Sequence, residues 1–138
     1  MDIKIYTDGG AINNPGPAAS AYVIYLGNTI IHKESKKIGV NTNNIAEYTA
    51  LVFAFEKTID LVKEGKLNDF SRIVVMSDSR LMVNQLKGLF KVKNAGIRDM
   101  ILKIRVLEGE IGKEIIYQDI PREKNTMADS LVKKALYS

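Results

Sequence analysis

Apolar, β-favouring residues open the chain. Ile3-Lys4-Ile5-Tyr6-Thr7 reads as a strand that carries one carboxylate, Asp8, at its C-terminal end. Gly9-Gly10 and Asn13-Asn14-Pro15-Gly16 follow, and they predict a turn in which backbone comes close to whatever Asp8 holds. Ala19 to Leu26 and Thr29 to Ile38 are two further β runs separated by Gly27-Asn28, a hairpin signal, so the chain begins as an antiparallel meander. The period then changes. Ile45, Tyr48, Leu51, Val52, Phe55, Ile59 and Val62 recur every three to four residues behind the cap-forming cluster Asn41-Thr42-Asn43-Asn44, which predicts a long helix from about Asn44 to Glu64 with Glu47 in its first turn.

Arg72 to Met76 is a compact apolar run, and therefore a buried strand, ending at Ser77-Asp78-Ser79. A short helix with Leu81, Met82, Val83 and Leu86 follows, then a glycine-bounded connector, Gly88 to Gly96, carrying Lys91 and Lys93 around Phe90. Ile97, Ile101, Ile104 and Leu107 mark another helix, Lys113 to Gln118 a fifth strand, Pro121 to Thr126 a polar loop, and Met127 to Leu136 a closing helix. The order βββαβααβα points to an α/β fold with one mixed sheet and helices on its faces.

A length of 138 residues fits one domain, residues 1–138, with a core large enough to need no staples. The absence of cysteine excludes disulfides, zinc-thiolate sites and a cysteine nucleophile. One histidine, His32, lies in a strand-like stretch and reads as a surface or packing residue, so hydrolytic chemistry has to come from carboxylates. Twenty Lys/Arg against sixteen Asp/Glu give a net charge of +4, compatible with a nucleic-acid partner. No apolar run approaches a membrane span and the N-terminus has no signal-peptide pattern; the expectation is a cytoplasmic, monomeric protein without a membrane partner.

Four acids occupy comparable places: Asp8 after strand one, Glu47 early in the long helix, Asp78 after strand four and Asp129 in the first turn of the last helix. Each alone is explained by turn formation, capping or opposition to the helix dipole. If strands one and four are neighbours, however, Asp8 and Asp78 emerge side by side. Carboxylates gathered without a cation repel one another, so such a cluster implies divalent metal, and an all-oxygen donor set selects Mg²⁺ or Mn²⁺. Two such ions suit phosphodiester hydrolysis and need no histidine.

Thr7-Asp8-Gly9-Gly10 with Asn14-Pro15-Gly16, Thr42-Asn43-Asn44-Ile45-Ala46-Glu47-Tyr48-Thr49-Ala50-Leu51, Ser77-Asp78-Ser79, and Asn125 through Ala128-Asp129-Ser130-Leu131 together resemble ribonuclease H type 1. The ordered set spans nearly the whole chain, and the resemblance implies an α/β, ribonuclease H-like fold: a five-stranded mixed sheet, three antiparallel strands then two parallel, flanked by helices on both faces. The resemblance implies a metal-dependent endonuclease that cuts the RNA strand of RNA–DNA hybrids to leave 3′-hydroxyl and 5′-phosphate ends; activity on double-stranded RNA stays open. It implies that Asp8 bridges two metal ions, that Glu47 and Asp78 complete one site, and that Asp129 completes the other. Asn14, Asn43 and Asn44 match hybrid-contacting positions, and carboxamides suit 2′-hydroxyls because they both donate and accept. Thr42 and Arg80 match phosphate contacts.

Two departures from bacterial members stand out. The interval that holds their basic protrusion is reduced to Gly88–Gly96, where two readings stand: Lys91 and Lys93 keep a small part of its role, or they belong to a solvated loop. The loop that carries their histidine reads Asp119-Ile120-Pro121-Arg122-Glu123-Lys124, so Arg122 is the candidate to contact the scissile phosphate or product. A DNA nuclease on the same fold and a catalytically silent nucleic-acid binder are the alternatives. The asparagine-rich segments argue against the first and the retained acids against the second, since a binder of polyanions gains nothing from negative charge where phosphate lies.

Overall fold

A computed structural model describes residues 1–138. Its strands are β1 (Ile3–Ala11), β2 (Gly16–Leu26), β3 (Thr29–Asn41), β4 (Arg72–Ser77) and β5 (Glu114–Asp119); its helices are α1 (Asn43–Lys63), α2 (Arg80–Leu86), α3 (Ala95–Ile111) and α4 (Thr126–Tyr137), the last preceded by a 3₁₀ turn at Arg122–Lys124. The strands form one sheet in the order β3-β2-β1-β4-β5. β1–β2 and β2–β3 are antiparallel, whereas β1–β4 and β4–β5 are parallel. This is the expected architecture.

Position in the sheet explains composition. β1 is central, and Ile3 and Ile5 are fully buried in one cluster with Ile73 and Val75 of β4, Leu51 and Phe55 of α1, and Ile104 of α3. α1 has buried residues over most of its circumference, including Ala46, Tyr48, Ala50, Leu51, Ala54 and Phe55. A helix apolar on more than one side needs cover on more than one side, here the sheet and α3. On the opposite face, α4 seats Val132 against Ala19 and Ala21 of β2, small residues that let the helix come close.

Three expectations are corrected. Gly9 and Gly10 belong to no turn: β1 continues through them to Ala11, paired with β2 in a register that places Asp8 opposite Ala21 and Gly9 opposite Ser20. The glycine is needed for helix packing instead of ligand approach, because a Cβ at Gly9 would lie 2.3 Å from the backbone carbon of Ala46 in α1. Second, Thr42 is the N-cap of α1, accepting from the Ile45 amide at 3.2 Å, so Glu47 lies beyond the first turn, which holds no acid. Opposition to the helix dipole therefore does not account for Glu47. Third, the strands and α3 run longer than the apolar runs alone mark: β2 begins at Gly16, β3 ends at Asn41 and α3 spans Ala95–Ile111. Backbone pairing such as Gly16 with Asn41 extends an element past its apolar positions.

Candidate active site

The parallel pairing of β1 with β4 stops at Thr7 and Ser77. Beyond that point β1 follows β2 and the chain after β4 turns into α2, so a wedge opens at the C-terminal edge of the parallel strands, where α/β sheets bind ligands. Asp8 and Asp78 are the first residues past the split, one on each side. Asp78 is no helix cap, since Ser79 takes that role with its Oγ accepting from the Met82 amide at 3.2 Å.

Helix α1 supplies the third acid. Gly9 lets the helix press onto the sheet, and the buried Ser20 hydroxyl, opposite Gly9, donates to the Ala46 carbonyl at 2.7 Å. The next residue is Glu47. One carboxylate oxygen each from Asp8, Glu47 and Asp78 lie within 4.8 Å of one another. Asp129, in the first turn of α4, lines the same cleft and pairs with Lys133 at 3.0 Å.

This cluster is electrostatically uncomfortable. Burial, then the negative charges of Asp78 and Asp129, push the Asp8 carboxyl from its ordinary 3.8 up to about 7. Burial also carries Glu47 well above the usual carboxyl range, reinforced by Asp8 and Asp78. Asp78 is raised by burial, and the Arg122 guanidinium acts against that rise at both Asp78 and Asp8. Glu47 keeps a buried carboxylate oxygen, Oε2, with no hydrogen-bond partner. Such an atom is costly unless something outside the chain completes it. A divalent cation fits: it relieves the repulsion, satisfies Oε2, and meets only the hard oxygen donors it prefers.

The cleft, about 540 Å³, is also lined by Asn43, Asn44, Ser79, Arg122 and Lys133. A neighbouring recess gathers Asn14, Thr42, Asn44 and Asn94 where the β1–β2 connection meets the N-termini of α1 and α3. Asn14 and Asn43 spend their Oδ1 atoms on the fold: Asn14 accepts from the Asn43 amide at 2.9 Å, and Asn43 accepts from the Ala11 amide at 2.7 Å. Turn and cap formation is thus satisfied, while their amide NH₂ groups make no hydrogen bond within the chain. Arg80 is exposed at the start of α2 and does not line the acid cleft; Lys91 and Lys93 are exposed on the α2–α3 connector, away from it. Sequence reasoning passed over Asn94, whose Oδ1 caps α3 at 3.0 Å, and Lys133, four residues past Asp129. An Asn ahead of Ala-Gly at a helix start, and an i,i+4 charge pair, were the available signals.

A reverse transcriptase-like family model matches residues 6–135. A bifunctional protein of Mycobacterium tuberculosis is 33% identical over 138 residues, 99% of this chain and 36% of that protein, so the chain spans little more than a third of that relative. Ribonuclease HI of Halobacterium salinarum is 34% identical over 136 residues, 97% of this chain and 64% of its own length. Among solved structures, LC11-RNase H1 in complex with an RNA/DNA hybrid is 39% identical with a TM-score of 0.86, covering 97% of this chain and 96% of the other. The N-terminal ribonuclease H domain of a Mycobacterium tuberculosis protein is 33% identical with a TM-score of 0.86, covering 99% of both chains. Sheet order and the acid cluster at the β1–β4 split define an α/β protein of the ribonuclease H-like class. Within that class the chain belongs to the ribonuclease H type 1 family.

Proposed function

We propose that the protein hydrolyses the RNA strand of RNA–DNA hybrids with two divalent cations, Mg²⁺ or Mn²⁺, leaving 3′-hydroxyl and 5′-phosphate ends. The observation that carries this reading is the convergence of Asp8, Glu47 and Asp78 within 4.8 Å around an unpartnered buried carboxylate oxygen, in a chain of this family. The relative solved with an RNA/DNA hybrid supports the substrate class. Asp8, Glu47 and Asp78 would hold one cation, and Asp8 with Asp129 the other. When bound, such ions supply an activated water and charge stabilisation at the leaving oxygen.

The remaining work belongs to the chain. Arg122, facing Asp8 and Asp78, binds a non-bridging oxygen of the scissile phosphate with a fixed donor fork. The free amide groups of Asn43 and Asn44 at the cleft wall, and that of Asn14 beside them, donate to 2′-hydroxyls and base edges in the minor groove, which selects RNA in the cut strand. Thr42 and Asn94 sit at two helix N-termini that favour phosphate, so the second strand runs across their recess. Lys91, Lys93 and Arg80 add screened attraction at the periphery.

The test is cleavage of a labelled hybrid with Mg²⁺ and with Mn²⁺, beside duplex DNA and duplex RNA, by the parent and by Asp8→Asn and Asp78→Asn. Cation-dependent cutting of the hybrid's RNA strand, abolished in both variants, is the expected result. Binding without cutting, or cutting of duplex DNA, refutes it.

A further inference from the structure

Four helices or turns in this chain start at a residue able to cap them, and one of those residues does not. Thr42, Ser79 and Asn94 each turn a side-chain oxygen onto an amide of their own helix, to Ile45, Met82 and Ile97. Asn125 stands at the corresponding place before α4 and makes no such bond. Its side chain is 1% exposed, and its Nδ2 donates at 2.9 Å to the carbonyl of Thr7, across 118 residues of sequence. A carbonyl oxygen only accepts, so the amide nitrogen has to face Thr7 and Oδ1 has to point away. Oδ1 has no partner at all. A buried carboxamide that forgoes its local cap and leaves its acceptor bare is not the cheapest way to start a helix.

Thr7 is where the β1–β4 ladder ends. Its carbonyl accepts the Asn125 amide at the point where that ladder stops. The backbone of Asn125 meanwhile joins both flanking site residues: its N–H donates to the Arg122 carbonyl at 3.0 Å, and its carbonyl accepts from the Asp129 amide at 3.1 Å. Its carboxamide also stands beside Asp78 and favours the charged form of that carboxylate. One residue therefore touches the neighbour of Asp8, the side chain of Asp78, and the backbone positions of Asp129 and Arg122.

We infer that Asn125 is a positioning residue, the peg that holds the β1–β4 split open and registers the 3₁₀ turn and α4 against it, so that Asp78, Asp129 and Arg122 meet Asp8. It touches neither substrate nor cation. The inference rests on the proposed function for its cation and its substrate, and it predicts which quantities move. Removing the peg loosens the acid cluster and leaves the asparagine-lined wall that grips the hybrid in place.

The experiment compares the parent with Asn125→Ala, with Asn125→Ser, whose hydroxyl is too short to reach Thr7, and with Leu131→Ala, which loosens α4 through its packing on the other side of the helix. Three quantities are read: Mg²⁺ and Mn²⁺ binding to the metal-free protein by calorimetry without nucleic acid, kcat and KM on the hybrid, and the melting temperature. The expected result for the Asn125 variants is at least about tenfold weaker cation binding and at least about tenfold lower kcat, with KM for the hybrid within about twofold of the parent. Leu131→Ala is expected to lower the melting temperature as much or more while cation affinity and kcat stay within about twofold. The inference is overturned if folded Asn125 variants bind cation and turn over within twofold of the parent. It is equally overturned if the losses in all variants track melting temperature, or if both Asn125 variants fail to fold, since each makes the residue a stability element only. A parent that binds cation but leaves the hybrid intact removes the substrate reading and leaves the peg to be judged on cation affinity. A parent that binds no cation removes both.

Discussion

Replacing Asp8 by Asn should stabilise the metal-free protein, and by an amount that depends on pH. Asp8 is 5% exposed, so solvent does little to screen its charge. Its carboxyl is raised from 3.8 to about 7, chiefly by burial and then by Asp78 and Asp129. A carboxyl raised by folding binds its proton more tightly in the native than in the unfolded state. Stability is then greatest below the unfolded value near 4, falls as pH rises from there, and is fully lost by somewhat above 7. About three pH units at about 1.36 kcal/mol each give about 4 kcal/mol. Part of that is repulsion, which relaxes as neighbouring carboxyls take up protons in turn, so a gain of about 2–4 kcal/mol is expected for Asp8→Asn above pH 7 and close to none at pH 4. For a chain of this size that corresponds to about 8–15 °C in melting temperature. The assay is thermal unfolding of parent and variant in chelator from pH 4 to pH 9, repeated with Mg²⁺. Added cation stabilises whatever binds it, so it should lift the parent toward the variant. Melting curves of parent and variant that keep a constant offset across this range would refute the electrostatic account of the cluster.

Gly9→Ala forces a methyl into the Ala46 backbone and should cost at least about 2 kcal/mol by denaturant unfolding, with loss of hybrid cleavage because α1 carries Glu47 away from Asp8. Arg122→Ala should lower kcat/KM on the hybrid about tenfold, and the acidic limb of the pH–rate profile should move to higher pH, since the guanidinium acts against the rise of Asp8 and Asp78; unchanged kinetics would remove Arg122 from the site. Asn43→Ala breaks the bond to the Ala11 amide and removes a free donor from the cleft, so it should cost about 1 kcal/mol in stability and raise KM for the hybrid more than it lowers kcat.

How far the sequence could be read varied with the range of the interaction. The order of strands and helices was legible because apolar runs and periodic stripes are local, whereas the adjacency of β1 and β4, only a condition in the sequence, is a long-range pairing that the fold reveals. The four acids were legible as an ordered set. What was not legible is the reason for particular small residues. Gly9-Gly10 after an acid looks like a turn, and only the approach of α1, some 37 residues later in the chain, shows that the missing Cβ makes room for Ala46. Glu47 looked like a first-turn acid because the cap within Asn41–Asn44 was ambiguous by one residue. Asn125 gave no signal either, since an Asn before a helix reads as a cap whether or not it acts as one.

The same geometry explains why the cluster can be maintained. Mutually repelling carboxylates on loops would move apart, because loop backbone yields at little cost. Here Asp8 lies within a strand paired on one side over its whole length. Glu47 lies on a helix covered by the sheet and by α3, pinned by the bond from Ser20 to Ala46. Asp78 follows directly from the buried end of β4, with Ser79 capping α2 beside it. Three elements that cannot yield without breaking core contacts hold three charges that favour separation, so the strain remains in the site and is available to a cation. Asp129 is held differently, at the exposed start of α4 with the Lys133 ammonium 3.0 Å away as counter-charge. With a lysine 65% exposed this counter-charge is weak and easily exchanged, so Asp129 is constrained less by its partner than by its place at the start of the helix. The cleft is therefore uneven, with Asp8, Glu47 and Asp78 offering oxygens within 4.8 Å of one another and Asp129 outside that group, so the proposed two-ion site is expected to fill first on the side of Glu47.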